Sequence, residues 1–219
     1  GNLVATESKE KQYEVFKVYR FFACWLYGFA TVGFWYLLTP LIGNLWLNDE
    51  WVIGQGIVTL ILIDFYFKGG RVVLANFKIA AGVFEKDRYL ALIQGGVNLV
   101  LSIGLVQVIG LSGIYVGTVV SGLMANVIQP LIVYHDCFER KAISYFTDSL
   151  KYLCIIVGIT LLLLPVKAAI LQEVTFLRFL GMAVVITLVY NGVFWLAFGR
   201  SGEFRYLFQV VAGKFVKKK

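Results

Sequence analysis

Long apolar stretches separated by short charged segments organise this chain. A helix needs ~20 mostly apolar residues to cross the hydrocarbon of a bilayer. Six stretches are read as crossings: Phe21 to Ile42, Trp51 to Phe67, Leu90 to Val108, Gly113 to Tyr134, Tyr152 to Ile170 and Phe176 to Phe198, here called spans A to F. Span B is short by itself, but its helical pattern continues past Phe67. The runs are uniformly apolar and lack the alternation of a β-barrel strand. The expected fold class is therefore an all-α integral membrane protein. Residues 1–20 form a cytoplasmic lead-in, 21–198 a six-span bundle and 199–219 a basic cytoplasmic tail.

Composition strengthens this reading. Hydrophobic residues make up 59% of the 219 residues and charged residues only 15%, with a mean hydropathy of +0.79. A soluble domain carries about 25% charged residues, so this apolar surface is matched to lipid. The net charge of +7 sits between and after the apolar runs, which suits an anionic leaflet and not a nucleic acid. Cys24, Cys137 and Cys154 lie in or near apolar segments without paired spacing, so neither a disulfide framework nor a zinc site is expected. The chain begins at Gly1 with no signal peptide ahead of span A, so a fragment is expected.

The placement of charge predicts orientation. Of the 20 Lys and Arg residues, all but Lys167 and Arg178 fall before A, in B–C, in D–E or in the tail. The other connections carry Asp49, Glu50 and Glu173 as acids. Cytoplasmic loops are enriched in Lys and Arg, so both ends of the chain are expected in the cytoplasm. Trp46 and Trp51 bracket the outer A–B loop, as interfacial aromatics do. In the tail, Phe204, Tyr206, Leu207, Phe208, Val210, Val211 and Phe215 interleave with basic residues. This segment reads equally as a leaflet-bound helix or as a solvated stop-transfer tail.

Ionisable groups at membrane depth mark pathways or partners. On span B and its continuation, Asp64, Lys68, Arg71, Ala75 and Lys78 recur at helical spacing. At ~100° per residue they stay within about ±40° of one face. Asp64 can pair with Lys68, leaving Arg71 and Lys78 as surplus cations that would line an inner vestibule. The plainer reading makes the cations positive-inside anchors and Asp64 half of a structural salt bridge. Gly69 and Gly70 lie on the other side and permit a bend or close packing. Span C carries Gln94, Asn98 and Ser102, and span D carries Thr118, Ser121, Gly122, Ala125 and Gln129 on one face. These stripes, like Gly113-x-x-x-Gly117, serve close packing or line a cavity. Arg178 is expected to snorkel to the interface. His135 beside Asp136 reads as interfacial. With no motif of hydrolytic, phosphate-loop or metal chemistry, neither catalysis nor a cofactor is expected.

Several ordered segments resemble one family. Gly1-Asn2-Leu3-Val4-Ala5 opens the chain, and Leu45-Trp46-Leu47 closes the A–B loop, with Asn48 where the family has glycine. Ala81-Gly82-Val83-Phe84 and Asp87-Arg88-Tyr89 follow, then Asn98-Leu99-Val100-Leu101-Ser102-Ile103. Gly110 to Thr118, Pro130, Phe138 and Tyr145-Phe146 complete the set. Together they resemble the C-terminal half of Wzx-type polysaccharide-unit flippases, of the multidrug/oligosaccharidyl-lipid/polysaccharide exporter superfamily. The resemblance implies most of one bundle of a two-bundle exporter in a bacterial cytoplasmic membrane. The implied cargo is an undecaprenyl-pyrophosphate-linked oligosaccharide, moved by alternating access. Lys68, Arg71 and Lys78 would meet the pyrophosphate, while Gln94, Asn98, Thr118 and Gln129 would face sugar or water. The implied partners are membrane lipids, the missing N-terminal bundle and a polysaccharide polymerase. Two other readings stay open: an ion-coupled drug or cation exporter with Asp64 as the coupling acid, or a membrane-embedded enzyme or structural subunit of a glycan assembly complex.

Overall fold

The computed structural model describes the backbone of residues 6–83 and 85–216 and the side chains of residues 6–83 and 89–210. Gly1–Ala5, Phe84, and the side chains of Lys86, Asp87, Arg88, Val211, Lys214, Phe215, Lys217, Lys218 and Lys219, all used in the sequence reading, lie outside the described residues. Seven α-helices and no strand occur among the described residues: α1 (Lys9–Pro40), α2 (Gln55–Ala80), α3 (Glu85–Ile109), α4 (Leu111–Phe138), α5 (Ile143–Ile170), α6 (Phe176–Phe198) and α7 (Gly202–Val216).

The lead-in and the first apolar run form one helix. Ser8 caps it, its Oγ accepting from the Lys11 amide at 3.3 Å, which satisfies one of the orphan donors at a helix start. Pro40 has no amide hydrogen to donate. The chain then widens into a π-helical turn, Leu41–Trp46, whose closing bond runs from Leu47 N to Ile42 O at 2.9 Å. At the other end of the bundle, α5 begins at Ile143, well ahead of Tyr152. Its first turns carry Ser144, Thr147, Asp148, Ser149 and Lys151, so apolar counting stops before the backbone does.

The buried face of α1 organises the packing. Gln12, Phe16, Arg20, Cys24, Gly28, Val32, Tyr36 and Pro40, each four residues apart, are all buried. At 100° per residue, a row with a spacing of four rotates about 40° per step. One row therefore winds around α1 and meets different helices along its length. Near its start, Phe16 packs on Phe77 of α2 and Phe138 of α4, with ring centroids 5.3 and 5.0 Å apart. Farther along, Phe21, Val32 and Tyr36 join Ile156, Leu163, Met182, Ile186 and Phe194 of α5 and α6.

These contacts show that successive helices run in opposite directions. The start of α1 meets the ends of α2 and α4, whereas Trp35 Nε1 of α1 donates to Thr59 Oγ1 near the start of α2 at 3.0 Å. Lys167, late in α5, lies 5.3 Å from the same Trp35 ring. Helix α7 returns to the start of α1, where Lys17 and Glu203 are 3.9 Å apart. The Phe204 and Leu207 side chains of α7 pack on the α1–α6 core.

Helices α3 and α4 form a tight hairpin. Gly110 turns it at a φ of +62°, a conformation open to glycine at little steric cost. A Cβ on Gly113 would lie 2.4 Å from the Leu105 carbonyl carbon, and one on Gly117 would lie 2.6 Å from Ser102 Oγ. The Gly-x-x-x-Gly pair therefore serves backbone approach, as small residues do between membrane helices.

Five helical segments are long and apolar enough to cross a membrane: Lys9–Trp46, Tyr89–Ile109, Leu111–Phe138, Ile143–Ile170 and Phe176–Phe198. The second helix is not among them, because Asp64, Lys68 and Arg71 interrupt its apolar run. Aliphatic side chains such as Leu92, Val100, Leu188 and Leu196 point outward. Such a surface suits lipid, which solvates aliphatic groups as well as a core does.

Candidate functional site

Helix α2 carries two different faces. One, with Tyr66, Gly69 and Val73, is directed at α1 and the core. Gly69 lies against the Tyr27 ring of α1, while Gly70 has open space where its Cβ would be. Only the first glycine of the pair is needed for approach. The second face holds Asp64, Lys68, Arg71 and Lys78, and it leans on α4.

On that face the groups differ in environment. The Asp64 carboxylate is largely buried and receives the Lys68 ammonium at 2.6 Å, while Lys68 itself stays half exposed. Arg71 is only 9% exposed. Its Nε finds no hydrogen-bond partner among the described residues. Both groups converge on Gly122 of α4. A Cβ there would lie 3.3 Å from Asp64 Oδ1 and 3.9 Å from Arg71 Nη2. The neighbouring Ser121 is fully buried and donates back to Thr118 O at 3.0 Å. Small residues on α4 thus make room for charged ones on α2. Lys78 is buried in the last turn of α2.

The uncharged candidates are more dispersed. Asn98 Oδ1 accepts from Ser102 Oγ at 2.8 Å within α3. Thr118 donates to Ile114 O at 3.0 Å within α4. These two sit in the α3–α4 hairpin, where Ser102 also meets Gly117. Gln94 and Gln129 are half-buried on the same two helices, nearer the end at which Phe138 packs. The structure thus brings Asp64, Lys68 and Arg71 together against α4, and sets the polar residues of α3 on the far side of that helix.

One buried cation escaped the sequence reading, which took Arg20 for an orientation anchor. Arg20 is 4% exposed. Its Nη2 donates to Tyr145 O at 2.5 Å and to Ser149 Oγ at 2.7 Å. The guanidinium also lies 3.8 Å from the Tyr145 ring centroid, within the range of a cation–π contact. The signal was present: Arg20 continues the four-residue row of Gln12 and Phe16. Arg178, by contrast, pairs with Glu173 at 3.2 Å at the opposite end of the bundle. No cluster of three or more His, Cys, Asp or Glu suited to a metal occurs among the described residues.

Fold and composition together define an all-α, multi-pass membrane protein. Comparison with family models, curated proteins and solved structures returned no match.

Proposed function

We propose that this chain is part of an exporter that moves a lipid-linked oligosaccharide across a bacterial cytoplasmic membrane. The observation that carries the proposal is Arg71. An arginine that is 9% exposed, with an Nε that has no partner among the described residues, on a helix flanked by membrane-spanning helices, is poised for an anion. Moving a pyrophosphate head group through hydrocarbon unaided is prohibitive, and a fixed cation offsets much of that cost. In this reading α2 is a sixth crossing, whose charged stripe is shielded from lipid by α4. Both chain ends then lie in the cytoplasm with the basic connections. Lys68 and Lys78 extend the cationic stripe, and Thr118 and Gln129 of α4 supply contacts to sugar or water, while Gln94 and Asn98 stand apart on the far side of α4. Motion of this bundle against a second one provides alternating access.

The close Asp64–Lys68 pair supports this reading over ion coupling through Asp64, since the carboxylate already has a cation. The test is complementation of a flippase-null strain with the full-length protein. Arg71→Glu abolishes surface polysaccharide while leaving membrane insertion intact, and Arg71→Lys retains part of it. Normal export from Arg71→Glu overturns the assignment.

A further inference from the structure

A cavity of about 570 Å³ opens between the last turn of α4 and the first turn of α5. Its walls are built from Leu131, Ile132, Ile143 and Phe146, and its rim carries His135, Asp136, Arg140 and Lys141. None of these residues belongs to the stripe on α2. We propose that this cavity binds one anionic phospholipid, with the phosphodiester at Arg140 and Lys141 and the upper acyl chains against the apolar wall.

Three observations lead there. The first is position: both helices that form the cavity are apolar enough to span a bilayer, and the cavity sits where they emerge. Headgroups and the tops of acyl chains meet at that level. The second is charge. Asp136 Oδ1 lies 2.6 Å from His135 Nδ1. Arg140 and Lys141 stand side by side on the rim, where an anionic phosphodiester meets both. Basic pockets between membrane helices recognise anionic headgroups in this way.

The third is preorganisation. Helix α4 is capped by Glu139, which takes a left-handed φ of +53°. The turn is closed by the Arg140 amide donating to Tyr134 O at 2.9 Å, and Lys9 of α1 binds the Glu139 carboxylate. The Arg140 guanidinium rests 4.6 Å from the Tyr13 ring centroid. The cation is thus held at the rim while remaining exposed. The apolar wall is also open: Leu131 is 49% exposed and Ile143 66% exposed. An aqueous ligand would leave that surface wet, and a lipid covers it.

The proposal requires a bilayer but no particular cargo, so it stands or falls apart from the export reading. The test is native mass spectrometry of the full chain after stepwise delipidation in the presence of phosphatidylglycerol or phosphatidylcholine. The wild type retains one phosphatidylglycerol in preference to phosphatidylcholine. Each cation near an anionic surface changes affinity by about fivefold, so Arg140→Gln with Lys141→Gln lowers the preference by about twenty-fivefold. Ile132→Trp fills the wall, keeps the charges and also loses the lipid. The thermal midpoint of the double variant confirms that it is folded. Equal retention of the two lipids by the wild type overturns the proposal. So does undiminished preference in the double variant, or full displacement of the lipid by inorganic phosphate alone.

Discussion

Gly69 of α2 lies so close to Tyr27 of α1 that a Cβ there would fall 2.1 Å from the ring's Cγ. That atom is the root of the ring and cannot swing aside as a side-chain tip does. Gly69→Ala therefore forces α1 and α2 apart. It lowers stability by about 1–3 kcal/mol, the usual cost of overpacking. Gly70→Ala meets open space and gains up to about 1 kcal/mol from helix propensity. Thermal midpoints of the two variants in one detergent separate them, and equal midpoints would refute the contact.

The α3–α4 hairpin gives a second pair of the same kind. Gly113 opposes the Leu105 backbone at 2.4 Å, while Gly104 opposes nothing within 4 Å. Backbone cannot rotate away, so Gly113→Ala opens the hairpin and Gly104→Ala does not. Thermal midpoints in one detergent should fall for Gly113→Ala and hold for Gly104→Ala, and equal midpoints would refute the close approach.

Arg20→Lys keeps the charge of a buried group but loses the planar fork that reaches Tyr145 O and Ser149 Oγ together. Losing a hydrogen bond to a charged group costs about 1.5–3 kcal/mol. The variant should unfold at correspondingly lower denaturant. Lys17→Arg, on the same helix but half exposed, should stay within about 0.5 kcal/mol of wild type.

Arg71→Met separates stability from function. It keeps the unbranched apolar stem, removes a buried charge whose Nε has no partner among the described residues, and leaves the Asp64–Lys68 pair intact. Burying a guanidinium carries a desolvation cost, and Lys68 still neutralises Asp64 once Arg71 is gone. The expected outcome is a thermal midpoint equal to or above wild type, together with loss of surface polysaccharide in complementation. A marked fall in midpoint would assign Arg71 a structural role.

The Lys9–Glu139 tether makes the α4–α5 turn sensitive to acid. Lys9 beside it holds the Glu139 carboxyl below the ordinary glutamate value. A carboxylate depressed on folding contributes stability at pH above the unfolded value, and that contribution fades as pH falls through the folded one. Amide protection factors at Glu139 and Arg140, corrected for the intrinsic pH dependence of exchange, should fall as pH drops through the acidic carboxylate range. Glu139→Gln should remove that dependence and leave the rest of the helix bundle unchanged.

The apolar periodicity alone determined much of this molecule. Uniformly apolar runs admit only backbone that satisfies its own hydrogen bonds, so helices and their approximate limits were legible. The charged face of α2 was legible too, because angular position on a helix follows from residue number. What each charge meets was not. Arg20 and Arg71 look like other basic residues near the ends of apolar runs, yet tertiary packing buries both and leaves Lys68 half exposed. Burial depends on which neighbour presents a glycine, a serine or a ring at the same height. Here Gly122, Ser149 and Tyr145 come from α4 and α5, far away in the chain. The sequence carried the periodicity of each helix, but the height and rotation at which helices meet arise from contacts between all of them at once.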